Sequence, residues 1–349
     1  MKSPILSVNF AKWMLLCSAF CCATALSAMG QFPSLSPLPG TGSLKAASKP
    51  DKFTFLVAGD NRPCVSGPTQ PETPKTIFAA AAKLQPAFVL WTGDTISGKD
   101  KCDGPKDDPC HASDMEKEYQ AFFDIAKAAG VPVFNAPGNH EMDNKKDVPN
   151  QTMQDLYVKH AQAYGSFDYG DSHFIALNTE EVGNPAGGSN PAGKSCKKEN
   201  DDPGYISPQQ LKLLEKDLKA NKDKTHIFVF THHPIEAYKC QDRLDKDSRK
   251  ALKDLFANYS NVSYVLSGHE HMYYNPQGKK STDPPPSRKD PSKDGPYYIV
   301  TGGGGAPLKG VSKGNCGKPD STVPGAFYHY LVFQVDGDKV TADLVKLAN

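Results

Sequence analysis

The sequence predicts an α/β domain of two packed mixed β-sheets flanked by helices. Five short apolar runs of strand length alternate with helical patterns, the signature of a buried, largely parallel sheet. Three further strand-like runs close the chain with no long helix between them. The 349 residues are 38% hydrophobic and 23% charged, which suits a folded soluble domain and excludes a chain disordered throughout.

The elements follow in order. Lys2 and Lys12 precede or flank the apolar, small-residue-rich run Trp13–Ala28, and no acidic residue occurs before Asp51. This pattern reads as an export signal cleaved after Ala25, Ala28 or Gly30, with a retained membrane anchor as the alternative. Residues 1–30 are therefore set apart as a signal peptide. Residues 31–50 interleave Pro, Ser and Gly and read as a linker, and residues 51–349 form the domain.

Within the domain, Phe53–Ala58, Ala87–Thr92 and Val131–Asn135 are strand-length apolar runs. Ser113 and Glu116 form a capping box ahead of Met115, Tyr119, Phe122 and Ala126, and Gly130 closes that helix. Ser207, Pro208 and Gln210 start another helix, with Leu211, Leu214 and Leu218 on one face. Ile227–Phe230 and Val262–Leu266 are the next strands. Tyr297–Val300, Tyr330–Val335 and Val340–Leu347 read as a closing antiparallel meander. The Gly- and Pro-rich stretches 183–206 and 275–296 read as surface loops.

Forty Lys and Arg face 39 Asp and Glu, a formal net charge of +1. This excludes an extended basic surface for nucleic acid. No apolar run outside the amino end is long enough to cross a bilayer. Three of the nine cysteines lie in the apolar segment. The other six, Cys64, Cys102, Cys110, Cys196, Cys240 and Cys316, lie in polar stretches. An even count in an exported chain predicts disulfides, with Cys102–Cys110 as the one pairing proposed. No Cys-x-x-Cys occurs, so a zinc site is the weaker reading.

Function is written after the strands. The first is followed by Gly59-Asp60-Asn61-Arg62 and the second by Gly93-Asp94. The third is followed by Gly138-Asn139-His140-Glu141, the fourth by His232-His233-Pro234 and the fifth by Gly268-His269-Glu270-His271. The carboxyl ends of strands in such a sheet lie together, where ligands bind. Any one of these pieces alone reads as a turn, a cap or an ordinary histidine. Five together bring carboxylate, amide and imidazole donors to one place, a set suited to Zn, Mn or Fe. Two such ions held close together form a clamp for displacement at phosphorus.

The ordered set Gly-Asp, Gly-Asp, Gly-Asn-His-Glu, His-x-Pro, Gly-His-x-His resembles the calcineurin-like metallophosphoesterase superfamily, and the export pattern is similar to that of secreted purple acid phosphatases. The resemblance implies a four-layer sandwich and a two-metal centre of Fe, Zn or Mn. Asp94 would bridge the ions, Asp60 and His271 would bind the first, and Asn139, His232 and His269 would complete the second. His140 would contact the phosphate or act as general acid, with His233 as a neighbour of the ligands.

Two positions depart from the pattern. The superfamily's first motif reads Asp-x-His, whereas position 62 is Arg, which cannot ligate a metal while protonated. Purple acid phosphatases place a Tyr three residues after the second Asp, where this chain has Ser97. The first metal site is therefore expected to be weak. Arg62 reads either as a fork for a phosphate oxygen or as an ion pair with a carboxylate such as Glu141. Gly302–Gly305 lacks the Lys of a P-loop and reads as a turn bordering the site. The expected activity is hydrolysis of a phosphorylated small molecule or ester. The alternative is an exported ligand-binding module that keeps the fold without turnover.

Overall fold

The computed structural model describes residues 30–64, 67–98, 109–142, 150–181, 204–290, 294–311 and 323–348. The expected signal peptide up to residue 29, most of the loop over 183–206 and the Cys102–Cys110 pairing lie outside the described residues.

The order is β1 (Lys52–Ala58), α1 (Glu72–Leu84), β2 (Val89–Trp91), α2 (Pro109–Ala128), β3 (Val133–Asn135), α3 (Asn139–Met142) and α4 (Asn150–His160). There follow β4 (Gly165–Tyr169), β5 (Ser172–Ala176), α5 (Pro208–Ala220), β6 (His226–Thr231), α6 (Lys246–Phe256), β7 (Val262–Ser267) and β8 (Tyr273–Tyr274). The chain closes with β9 (Tyr297–Thr301), β10 (His329–Asp336) and β11 (Lys339–Lys346). One sheet has the order β11-β10-β1-β2-β3 and the other β4-β5-β6-β7-β9-β8. Both are mixed, so the two-sheet α/β expectation holds.

The layering follows from strand periodicity. Along β1, Phe55 and Val57 face the second sheet, whereas Leu56 and Ala58 pack under the helices with Ile77, Phe78 and Phe122. Along β6, Phe228 and Phe230 meet that same inter-sheet core, while Ile227 and Val229 pack on Leu214, Leu218 and Leu252 of α5 and α6. Strands buried on both faces explain the continuous apolar runs.

Helix ends follow local chemistry. Ser207 caps α5, accepting from the Gln210 amide at 3.1 Å, with Pro208 at the first position. The expected start of α2 at the Ser113 capping box is corrected. The helix begins at Pro109, and Ser113 lies inside it. Proline suits a first helical turn because that turn has no partner for its N–H. Past the end of α2, Gly130 takes φ +67°, the left-handed conformation that glycine adopts without strain.

Two other expectations are corrected. The closing strands do not form one meander. β10 and β11 are a hairpin against β1, whereas β9 joins the other sheet parallel to β7. The segment read as a linker is docked on the domain. Phe32, Leu35 and Leu38 are buried, Leu35 N donates to Ser166 O of β4, and Leu38 N donates to Val133 O of β3. It thereby covers one edge strand of each sheet, β4 and β3, where exposed strand groups need partners.

Candidate metal centre

The loops after β1, β2, β3, β6 and β7 meet at one end of the two sheets. Asn61 N and Arg62 N donate to Asp94 O, and Asp60 N donates to Gly93 O, so the first two loops are laced by backbone bonds. His269 N donates to Asp60 Oδ1 at 2.9 Å and brings in the loop after β7. Glu141, fully buried, ties in the loop after β3. Its Oε2 accepts from Asp94 N at 3.0 Å and Gly138 N at 2.7 Å, and its Oε1 accepts from Thr95 N and Thr95 Oγ1. Burial, and then the nearby Asp94, raise the Glu141 pKa.

Asp60, Asp94 and His269 take positive φ values of 62°, 53° and 67°. Such strain in non-glycine residues clusters where geometry is over-determined for function. The flanking glycines are needed for close approach. A Cβ at Gly268 would lie 2.2 Å from Asp60 Oδ2, and one at Gly138 would lie 2.3 Å from Asp94 Oδ1.

The donor atoms converge. His232 Nε2 lies 3.0 Å from Asn139 Oδ1 and 3.3 Å from Asp94 Oδ1, and His269 Nδ1 lies 3.2 Å from both Asn139 Oδ1 and His232 Nε2. His232 Nδ1 sits 2.8 Å from Thr92 O, which places its proton there and leaves Nε2 bare. Lone pairs of His232 Nε2, Asn139 Oδ1 and Asp94 Oδ1 thus crowd together, and none of the three atoms brings a hydrogen of its own. A cation resolves that repulsion. His271 is set the same way: Nδ1 binds Pro307 O at 2.7 Å, and Nε2 lies 3.7 Å from Asp60 Oδ1. Asp60 Oδ2 is buried with no hydrogen-bond partner. The residues fit a metal.

Electrostatics agree. Burial, and then the charge of Asp94, push Asp60 well above the usual carboxylate range, and burial pushes Asp94 up to about 7. Burial holds His232 down at about 4 and His269 and His271 well below the usual imidazole value. Burial makes the two carboxylates costly to ionise unless positive charge accompanies them, and it keeps the imidazoles neutral, as metal ligation requires.

Asp60, Asp94, Asn139, His232, His269 and His271 are thus all brought together. His140 and Arg62 flank them. His140 Nδ1 contacts Ser97 O, and its Nε2 lies 4.0 Å from Asp94 Oδ2. Arg62 Nε lies 3.8 Å from Asp94 Oδ2. The pairing of Arg62 with Glu141 is therefore not what forms, because Glu141 is committed to four donors of the loops. Gly302–Gly305 borders the site as expected. Gly304 N donates to Gly59 O and Ala306 N to Asp60 O.

Sequence reasoning missed Glu180. It follows β5, pairs with His233 Nδ1, and accepts from Thr179 Oγ1. The His233 ring lies 3.8 Å from that of His269, centroid to centroid, tilted by 31°. Ser172–Ala176 is a short run that opens on Ser and His, so neither the strand nor its loop stood out.

This fold and site define a class. The calcineurin-like phosphoesterase family matches residues 53–273, and the chain belongs to it. The chain is similar to the 3',5'-cyclic adenosine monophosphate phosphodiesterase CpdA of Haemophilus influenzae, 24% identical over 167 residues. That match covers 46% of this chain and 51% of the relative, so the chain spans about half the length of the relative it matches. A dimetal phosphatase from Danio rerio shares the fold at a TM-score of 0.56 and 13% identity, over 84% of this chain and 96% of that one. A purple acid phosphatase from yellow lupin seeds does so at 0.54 and 16%, over 89% and 53%.

Proposed function

We propose that the protein hydrolyses phosphate esters at a centre with two transition-metal sites of unequal completeness. Asp94, Asn139, His232 and His269 would hold one ion of Fe, Zn or Mn, and Asp60, Asp94 and His271 would hold a second more weakly. The convergence of lone-pair atoms of His232, Asn139 and Asp94 carries this reading. A bound metal supplies Lewis acidity and an activated water.

The side chains of the chain do the rest. Arg62, with a side chain 22% exposed, reaches from Asp94 towards solvent and donates to a phosphoryl oxygen. His140 Nδ1 is anchored on Ser97 O, so Nε2 is the atom that gives a proton to the leaving oxygen. Burial and the Arg62 charge lower the His140 pKa, which makes its imidazolium a strong acid. An arriving phosphate supplies the negative charge that favours the protonated ring.

The substrate is a phosphorylated small molecule or ester. A diester is supported by the name of the Haemophilus influenzae relative and a monoester by the dimetal phosphatase fold. Among the described residues no helix is long and apolar enough to cross a membrane. Export of the mature chain is part of the proposal, supported by the Lys2–Ala28 pattern and by the even number of cysteines outside it. The test is a panel of phosphomonoesters and linear and cyclic phosphodiesters on metal-stripped and reconstituted protein. Turnover restored by metal supports hydrolysis. Full turnover after exhaustive demetallation overturns it. Tight phosphate binding without turnover of any ester would favour the ligand-binding alternative, to which Arg62 and Ser97 at the two departing positions point.

A further inference from the structure

The two proposed metal sites share Asp94 and differ in completeness, three further ligands at one and two at the other. At the more complete site, Asp94 Oδ1 faces His232 Nε2 at 3.3 Å and accepts from His140 N at 3.1 Å. The other carboxylate oxygen, Oδ2, faces Arg62 Nε at 3.8 Å. Asp94 is thus divided between a metal-ligand cluster on one side and a guanidinium on the other.

Arg62 is held in this place by the fold. Its amide donates to Asp94 O at 2.8 Å, and Asn61, its neighbour, is buried between Trp91 Nε1 at 2.8 Å and Gln70 Oε1 at 2.7 Å. Its Nε is buried and makes no hydrogen bond, so the group is aimed at Asp94 Oδ2 without closing on it. A guanidinium offers only donors and a permanent positive charge. It cannot complete the Asp60–Asp94–His271 site, and its charge opposes a cation placed there. The same charge balances the second carboxylate of the Asp60–Asp94 pair, which otherwise needs a second ion.

We propose that Arg62 stands in for the charge of the first metal, so that the protein holds one tight ion, at Asp94, Asn139, His232 and His269. The inference rests on the metal-dependent reading above, and its test separates the two because it counts ions rather than turnover. Metal-stripped protein is titrated with Zn(II) and with Mn(II) by calorimetry, and bound metal is counted by mass spectrometry after dialysis. The wild type retains one ion per chain. Arg62→His supplies an imidazole without permanent charge and retains two. Arg62→Lys keeps the charge without the fork and retains one. Circular dichroism and a thermal melt of each variant confirm the native fold. Two wild-type ions bound within about tenfold of each other in affinity would overturn the proposal. So would a folded Arg62→His protein that still retains one ion, or a folded Arg62→Lys protein that retains two. Failure of every ester to turn over would remove the hydrolase reading and leave the ion count standing as a separate result.

Discussion

Glu141→Gln should loosen both the fold and the metal site, although Glu141 ligates nothing in the proposed scheme. The carboxylate accepts four bonds, two on each oxygen, from Asp94 N, Gly138 N, Thr95 N and Thr95 Oγ1. In the best orientation, the glutamine oxygen keeps Asp94 N and Gly138 N, and the Thr95 hydroxyl turns to accept from the new NH2. Thr95 N–H is then left facing a donor. An orphaned buried amide costs about 1–3 kcal/mol, and two bonds lose charge assistance at roughly 1 kcal/mol each. Gln also escapes the burial that raises the Glu141 pKa, which offsets part of this. The net is about 3 kcal/mol, from the same bond energies. That corresponds to a fall in Tm of roughly 6–12 °C, nearer the lower end for a chain of this size. Because Asp94 N and Gly138 N flank two ligands, metal affinity should fall as well. Differential scanning calorimetry and metal analysis of the same preparations read both. A Glu141→Gln protein that melts within about 2 °C of wild type with full metal content would refute the clamp.

His140→Ala should keep its metal and lose about 10²–10⁴-fold in kcat, the usual size of a general-acid effect; metal loss equal to that of Asp94→Ala would count against the role. Asp94→Ala should strip the metal, since Asp94 is the carboxylate nearest to both His232 and Arg62, and mass spectrometry of dialysed protein checks it. At the far end of the second sheet, His173 contacts Asp168 at 2.6 Å and Asp217 at 2.8 Å. Burial pulls its pKa down, but the bonds and charges of Asp217 and Asp168 prevail and raise it above 6.5. A raised folded pKa gives stability that is complete below pH 6.5 and is lost as pH rises through it. Asp168 is lowered from 3.8, its burial outweighed by Lys224 and His173, so its share is complete above pH 3.8 and is lost as pH falls through its folded value. His173→Gln should therefore cost roughly 1.5–3 kcal/mol near pH 5.5 by the scale of charged hydrogen bonds. Urea melts at pH 5.5 and pH 9 should show the difference shrinking at the higher pH, and a difference that grows would refute the sign.

Much of the site was legible because its ligands follow strands. A strand buried on both faces announces itself as an apolar run, and the polar residue after it is then conspicuous. Asp60, Asp94, Asn139, His232, His269 and His271 all stand at such ends. The Glu180 loop was not legible, because β5 is short and opens on Ser172 and His173. Nor was α6, whose cap at Asp245 bonds Asp247 N and Ser248 N in a segment rich in charge.

By itself the sequence determined the strand ends, the residue types at them, and the Arg at position 62. These depend on local chemistry, namely hydrophobic period, glycine before a turn, and donor identity. Only the tertiary structure decided what lies opposite what. Residues 31–50 look like linker in composition, yet Phe32, Leu35 and Leu38 each reach a different part of the core. Glu141 and Arg62 have opposite charges, but they do not pair. Glu141 finds four backbone and hydroxyl donors closer at hand, and Arg62 is carried by its own amide bond to the other side of Asp94. β9 parts from β10 and β11, the strands that follow it, for the edge of β7, because pairing is settled by which exposed edge and apolar face lie within reach once the sheets have packed.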